Sequence, residues 1–440
     1  METVDLLIRD ALIVNEGASF RGWLAVADER IAAIGVGDAP AEVVASARSV
    51  EDAAGKTLLP GVIDEHVHTR DPGLTEKGDM ASESAAAAAG GVTSIIDMPN
   101  TRPATTTLAA LEAKEQRAAA VATANYAFYL GATNTNLDEL LRADYSRVAG
   151  VKVFLGSSTG NMLVDRRTAL DDIFGRVDAL IAVHAEDEAE IARCRAAVAA
   201  SGDLSIARHP DIRTRRACLL ATQRAIELAK AHGSRLHVLH VSTAEEALLF
   251  EPGDVAAKRI TAETCPQYLL FSSADYARLG ARIKCNPAVK DDREALLAAI
   301  AEGRIDTIAT DHAPHRLSDK AGDVLTAASG MPMLQFSLPA MLTLLGAERA
   351  AELMAHNPAR LYGIADRGFL RPGAYADLVL AERRRHTVSD ADVVSRCGWT
   401  PLAGATLDWA VASTWLNGRC VFDGTKVDTA VRGRALRFNR

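Results

Sequence analysis

The sequence predicts an α/β protein: a (β/α)8 TIM barrel carrying a small β-sandwich domain built from both chain termini. Three observations predict it. Between residues 58 and 315, eight apolar β-rich runs alternate with Ala-rich stretches whose apolar residues recur at three and four, the pattern of repeated βα units. Histidines and acids stand at the C-terminal ends of those runs, where barrels of this kind carry their chemistry. Short strands punctuated by Gly and Asp come both before and after this region.

Taken in order, residues 1–59 hold VDLLIRDALIV and GWLAVADERIAAIG, a small β unit. The eight runs are LLPGVIDEHVH (58–68), VTSIIDMPN (92–100), NYAFYLG (125–131), VKVFLG (151–156), ALIAVHAED (179–187), RLHVLHVST (235–243), RITAETCPQYLLF (259–271) and IDTIATDHAPH (305–315). Helices are predicted over 82–90, 108–124, 217–233 and 293–303, several ending at Gly. After about residue 366, GFLRPGAYADLVLAE and ATLDWAVASTWLNGRCVFDG return to strands. The sandwich is therefore assigned residues 1–59 and 366–440, and the barrel 60–365, an ordinary length for a barrel of about 250 residues plus insertions.

Composition narrows the function. Of 440 residues, 48% are hydrophobic and 24% charged, enough apolar material for a large core and far from a disordered composition. The formal charge is −8, with no basic run, so nucleic acid is not an expected partner. The first residues resemble no signal or transit peptide, and no stretch of about 18 apolar residues occurs, so a cytoplasmic enzyme without membrane contact is expected. Six cysteines lack any C-x-x-C spacing, so they are expected to be reduced and buried rather than disulfide-bonded or zinc-binding.

The chemistry gathers at the strand ends. His66 and His68 lie two apart, so both side chains face the same side, as a metal pair needs. His184, His240 and Asp311 close the fifth, sixth and eighth runs, adding donors from distant parts of the chain. One strand-end histidine is more often structural; convergence of all of them on one rim points to a metal. His209, His232, His356 and His386 fall in helices or loops, and His237 is turned by alternation to the opposite face, so these five are read as structural. Lys152 sits in an apolar strand, a costly place for an ammonium group. If burial and a nearby metal lower its pKa, the neutral amine can add to CO2, and the carbamate's two oxygens could bridge two metals. The competing reading is an ion pair with Asp or Glu.

The segments GVIDEHVHTRDPG, AGGVTSIIDMPNT, VKVFLGSSTGNMLVD, VHAEDE, LHVLHVST, ETCPQYL, KCNPAVK and IATDHAPH resemble, in order, the motifs of the amidohydrolase superfamily, and within it those of the dihydroorotase family. RPGAYADLVL is similar to part of the family's terminal sandwich. The resemblance implies two zinc ions per subunit: one held by His66, His68 and Asp311, the other by His184 and His240, bridged by hydroxide and by carbamylated Lys152. Zinc lowers the pKa of bound water to about 7. The resulting hydroxide would attack the ring amide, the metals would stabilise the growing oxyanion, and Asp311 would carry the proton to the departing nitrogen. Cyclisation of an N-carbamoyl amino acid in pyrimidine biosynthesis would use the same groups in reverse, and a homodimer is a family expectation.

The metal site cannot choose among dihydroorotate, hydantoins or dihydropyrimidines, and allantoin. Arg70 can, because its planar fork pairs with a carboxylate, which dihydroorotate has and allantoin and simple hydantoins lack. The competing reading is a rim ion pair with Asp71 or Glu76. The resemblance also assigns substrate contacts to Asn100, Asn286 and His315, Asn100 being otherwise a turn residue. Met333 and Gln335 depart from the family's usual Gly and Glu. Glu65 is expected to be a rim acid, Cys265 a packed thiol, and the loop 157–162 either a cover for substrate or a connector. The remote alternative is a barrel that has lost its chemistry and serves as a structural partner.

Overall fold

The computed structural model describes residues 4–156 and 162–439, so most of the loop 157–162, read as either a cover or a connector, lies outside the described residues. Eight parallel strands, each paired with the next in chain order, form the barrel: Val62–Val67, Val92–Asp97, Asn125–Gly131, Gly150–Phe154, Leu180–His184, Arg235–Val238, Ile260–Thr264 and Thr307–Ile308. The last strand is very short. A parallel bridge from Val67 to His312, with His68 N donating to His312 O at 2.8 Å, joins the first strand to the chain after the eighth. The Val- and Ile-rich runs form these strands because both faces are covered by side chains.

Helices outside the strands follow their caps. Helix Met80–Ala89 begins in a capping box between Asp79 and Ser82 and ends at Gly90. It is almost wholly buried, which only its run of alanines allows at such close approach to both sheets. Helix Arg215–His232 starts on Thr214 and stops at Gly233, whose φ of +70° is the left-handed conformation that favours glycine.

Both chain ends feed one eight-stranded sheet. Its order is Arg419–Phe422, Thr406–Leu416, Leu378–Thr387, Lys56–Pro60, Val4–Asn15, Ala18–Ala27 and Arg30–Val36, with Ala47–Asp52 alongside Val4–Asn15. The seam between the two ends is Lys56–Pro60 against Leu378–Thr387, antiparallel. Ile8, Ile13, Leu24, Leu58, Leu378, Leu380 and Trp415 fill one face, while Leu7 and Trp23 pack under helix Ala41–Ser46 through Val43 and Val44.

The chain after the barrel also makes two excursions that no strand pattern announces. Residues 388–405 cross to the barrel, and residues 434–439 bond the start of the third barrel strand through Tyr126 and then the loops at Ser146 and Gly363. All six cysteines are free, but Cys420 is exposed and Cys397 half-buried, against the expectation that all are buried. Cys420 lies on the edge strand Arg419–Phe422, where outward-facing positions have no cover. Among the described residues, no helix is long and apolar enough to cross a membrane.

A buried polar knot ties sheet to barrel. Asp377 pairs with Arg367, accepts from Asn125 Nδ2 at 3.1 Å and from the Asn417 backbone at 2.8 Å, and all four residues are buried. Removing one partner of such a pair leaves an uncompensated charge in low dielectric. Asp377→Ala should therefore cost about 3–5 kcal/mol in denaturant unfolding; a loss below about 1 kcal/mol would show that the knot does not hold the two units together.

Candidate metal centre

The barrel brings the predicted residues to one end. His66 and His68 leave the first strand, Lys152 lies within the fourth, and His184 is the last residue of the fifth. His240 and Asp311 lie just past their strands with φ of +43° and +47°, and Arg70 has φ of +67°. Non-glycine residues tolerate this left-handed backbone at a cost, and here it turns three side chains that strand alternation alone would not aim together.

His66 Nε2 and His68 Nε2 stand 3.2 and 3.0 Å from the same atom, Asp311 Oδ1. Their other ring nitrogens are taken: His66 Nδ1 bonds Glu263 Oε1 at 2.8 Å and His68 Nδ1 bonds Asn100 Oδ1 at 2.7 Å. Because those partners are acceptors, each Nδ1 carries a proton, and each Nε2 faces the Asp311 carboxylate oxygen. That junction can be filled by a proton or by a metal ion. Without a metal a proton takes that place: burial works against protonating His66, yet the Glu263 and Asp311 carboxylates outweigh it and raise its pKa to about 9, so at neutral pH its Nε2 carries a proton toward Asp311. Burial likewise opposes ionisation of Asp311, but His66 and His68 hold it well below the usual range. His68, by contrast, is pushed down to about 4 by burial.

A second pair lies beside the first. His184 Nδ1 and His240 Nε2 are 2.8 Å apart, and the His240 ring centre is 5.5 Å from that of His66. Burial lowers both pKa values. Glu186 Oε2 stands 3.2 Å from His184 Nε2 and accepts from Arg213 Nη1 at 2.7 Å, favouring the tautomer that leaves Nδ1 bare. Lys152 is fully buried, its Nζ 4.8 Å from the Phe154 ring centre, and burial pushes it down to about 7. Among the described residues it has no ion pair with Asp or Glu within 4.0 Å, so the competing reading of Lys152 finds no support. His66, His68 and Asp311 thus fit a nitrogen- and oxygen-liganded divalent ion.

Beneath these ligands lies a polar layer the sequence reading misplaced. Glu65 is fully buried, not at the rim, and His237 is not turned away: ligand atoms of Glu65, His237 and Glu263 lie within 4.8 Å of one another inside the protein. Strand alternation fails because the first strand slips register between Asp64 and Val67, and because His240 adopts a left-handed turn after Val238. Burial and the neighbouring Glu263 raise Glu65 well above the carboxylate range. Cys265 is a packed thiol, its pKa raised by burial.

Arg70 is 2% exposed. Its Nε donates to Pro314 O at 3.1 Å, its Nη2 to His315 Nε2 at 3.1 Å, and it pairs with neither Asp71 nor Glu76; Asp71 instead meets Arg117. Burial lowers its pKa to about 10, so it stays charged at neutral pH, and burial also keeps His315 neutral. Asn100 is engaged with His68, and Asn286 lies 3.2 Å from the buried His209 ring, which itself bonds Cys285 O. Missed residues include Glu263, Glu186, Arg213, Trp399, and His312 with its partner Glu83. Glu186, two residues past His184, and His312, next to Asp311, were within reach of spacing; the others stand further from the predicted residues in the chain.

The chain matches the Amidohydrolase family over residues 57–421 and belongs to that family. It is a cyclic amidohydrolase. It is 35% identical over 404 residues to a dihydroorotase of Halobacterium salinarum, covering 88% of this chain and 91% of that one. It is also 35% identical over 458 residues to an allantoinase of Streptomyces avermitilis, covering 99% of each. Among solved structures, the L-hydantoinase (dihydropyrimidinase) of Arthrobacter aurescens is similar with a TM-score of 0.89 at 30% identity, over 97% of this chain and 98% of that one.

Glu263 fixes the His66 tautomer, so its charge should matter to the metal. Glu263→Gln is expected to weaken metal retention by about 10–100-fold, read as metal content after dialysis against graded chelator. Unchanged retention would contradict the tautomer argument.

Proposed function

We propose that this protein is a dihydroorotase, which reversibly hydrolyses the cyclic amide of dihydroorotate to N-carbamoyl-aspartate in pyrimidine biosynthesis. The observation that carries this reading is Arg70: a buried guanidinium, charged at neutral pH, with no carboxylate partner within 4.0 Å among the described residues. A buried cation without a counter-ion is costly, and a substrate carboxylate received by the planar fork removes that cost. Allantoin and simple hydantoins have no such group.

His66, His68 and Asp311 would hold one zinc ion, and His184 and His240 the other, with a carbamate on Lys152 between them. When bound, the pair supplies Lewis acidity to the amide carbonyl and lowers the pKa of water to about 7. Near neutral pH much of Lys152 is the free amine, the form that adds to CO2 with loss of a proton. The Asp311 carboxylate, ionised and beside both histidines, accepts the proton of the attacking water and returns it to the ring nitrogen as the amide bond breaks. Asn100 keeps the His68 ring oriented, and Arg70, His315 and Asn286 seat the substrate. The intact donor set speaks against a barrel without chemistry.

The competing substrates are hydantoins or dihydropyrimidines and allantoin, as the full-length likenesses to an allantoinase and an L-hydantoinase suggest. Initial rates on dihydroorotate, allantoin and a 5-substituted hydantoin, with and without chelator, decide among them. Dihydroorotate should be preferred, and chelator should abolish its turnover. Arg70→Ala should lower kcat/KM for dihydroorotate about 100-fold, as expected when a buried charged partner is lost, while sparing hydantoin. Preference for allantoin, or an unchanged Arg70→Ala, would refute the assignment.

A further inference from the structure

Residues 388–405 leave the terminal sheet and are fastened to the barrel along their length. Asp390 pairs with Arg282 at 2.6 Å. Gln335 bonds both Asp392 O and Val394 N at 2.8 Å. Ser395 Oγ donates to Glu83 Oε2 at 2.6 Å, and Arg396 pairs with Asp79 while donating to Thr75 O at 2.9 Å. These contacts deliver Trp399, the largest fully buried side chain, whose Nε1 donates to His315 O at 2.7 Å.

The preceding carbonyl, that of Pro314, accepts from Arg70 Nε, and the His315 ring accepts from Arg70 Nη2, each at 3.1 Å. Two successive carbonyls are thus held, one by the guanidinium and the next by the indole. Among the described residues no other side chain donates to His315 O. The far side of the His315 ring is confined too: a Cβ added at Gly330 would lie 3.0 Å from His315 Cδ2. Both hydrogen bonds that orient the Arg70 fork end on residues 314 and 315, so rotation of that peptide would turn the fork. Bidentate recognition of a carboxylate tolerates little misorientation.

We propose that Trp399 is a positioning residue for the substrate carboxylate, acting through the His315 carbonyl on Arg70. The segment 388–405, supplied from outside the barrel, thereby sets the preference for an anionic cyclic amide. This rests on the assignment of Arg70 to that carboxylate.

The test uses the metal-loaded full chain and dihydroorotate. Trp399→Phe keeps an aromatic ring in place and removes the N–H. It should raise KM about tenfold, the scale of one lost buried hydrogen bond, with kcat changed less than about twofold, metal content unchanged and melting temperature lowered by only a few degrees. In an Arg70→Ala background the same substitution should add nothing, because its path runs through Arg70. An unchanged KM, a fall in kcat at constant KM, or effects that multiply in the double variant would overturn the proposal. Should Trp399→Phe fail to fold, Gln335→Ala loosens the segment without touching its core. It should raise KM in the same direction by a smaller factor, again only when Arg70 is present; no change would overturn the proposal. An Arg70→Ala variant with normal dihydroorotate kinetics would bring down the carboxylate assignment, and this proposal with it. A damaging Arg70→Ala beside an inert Trp399→Phe removes this proposal alone.

Discussion

A carboxylate oxygen faced by two imidazole nitrogens, a junction that a proton or a metal ion must fill, is the constraint from which the rest of this molecule follows. His66 and His68 both turn Nε2 to Asp311 because Glu263 and Asn100 hold protons on the far sides of the rings. A metal ion entering there displaces the His66 proton. The histidine pair His184 and His240, 2.8 Å apart, offers two more nitrogens beside it. The buried acids beneath them are consistent with this: they fix ring orientation from inside the barrel, where no water competes for the hydrogen bonds.

The barrel's part is to make that convergence inexpensive. Its strands end together, so donors separated by more than two hundred residues meet without long loops, and only the residues past the strands need unusual backbone. That explains why the left-handed conformations fall on Arg70, His240 and Asp311. The terminal sheet does more than join the two chain ends. Its excursion over residues 388–405 contributes the indole that reaches His315, so the site is completed by a segment outside the βα repeats.

Much of this was legible in the amino-acid order. Eight runs of Val, Ile and Leu with chemistry at their ends define the barrel, and each predicted helix has its capping residue or terminal glycine. The candidate ligand histidines could be picked out because they stand at repeated places in repeated units. What could not be read depends on departures from regularity. Glu65 and His237 were misplaced because strict alternation was applied across a register slip and a left-handed turn. Trp399 was invisible because nothing local distinguishes an indole that fills a core from one that reaches across the molecule to a carbonyl. Arg70 was read as a carboxylate receptor from its place beside His68. Its contact with His315 depends on two turns whose geometry no residue pattern specifies.

The metal proposed to sit among His66, His68, Asp311, His184 and His240 can be counted directly. Elemental analysis of the purified, exhaustively buffer-exchanged protein should find about two divalent ions per chain, zinc foremost, as a paired hydrolytic centre requires. The count should fall when Asp311 is replaced by Ala. A fully active protein carrying no divalent metal would contradict the account.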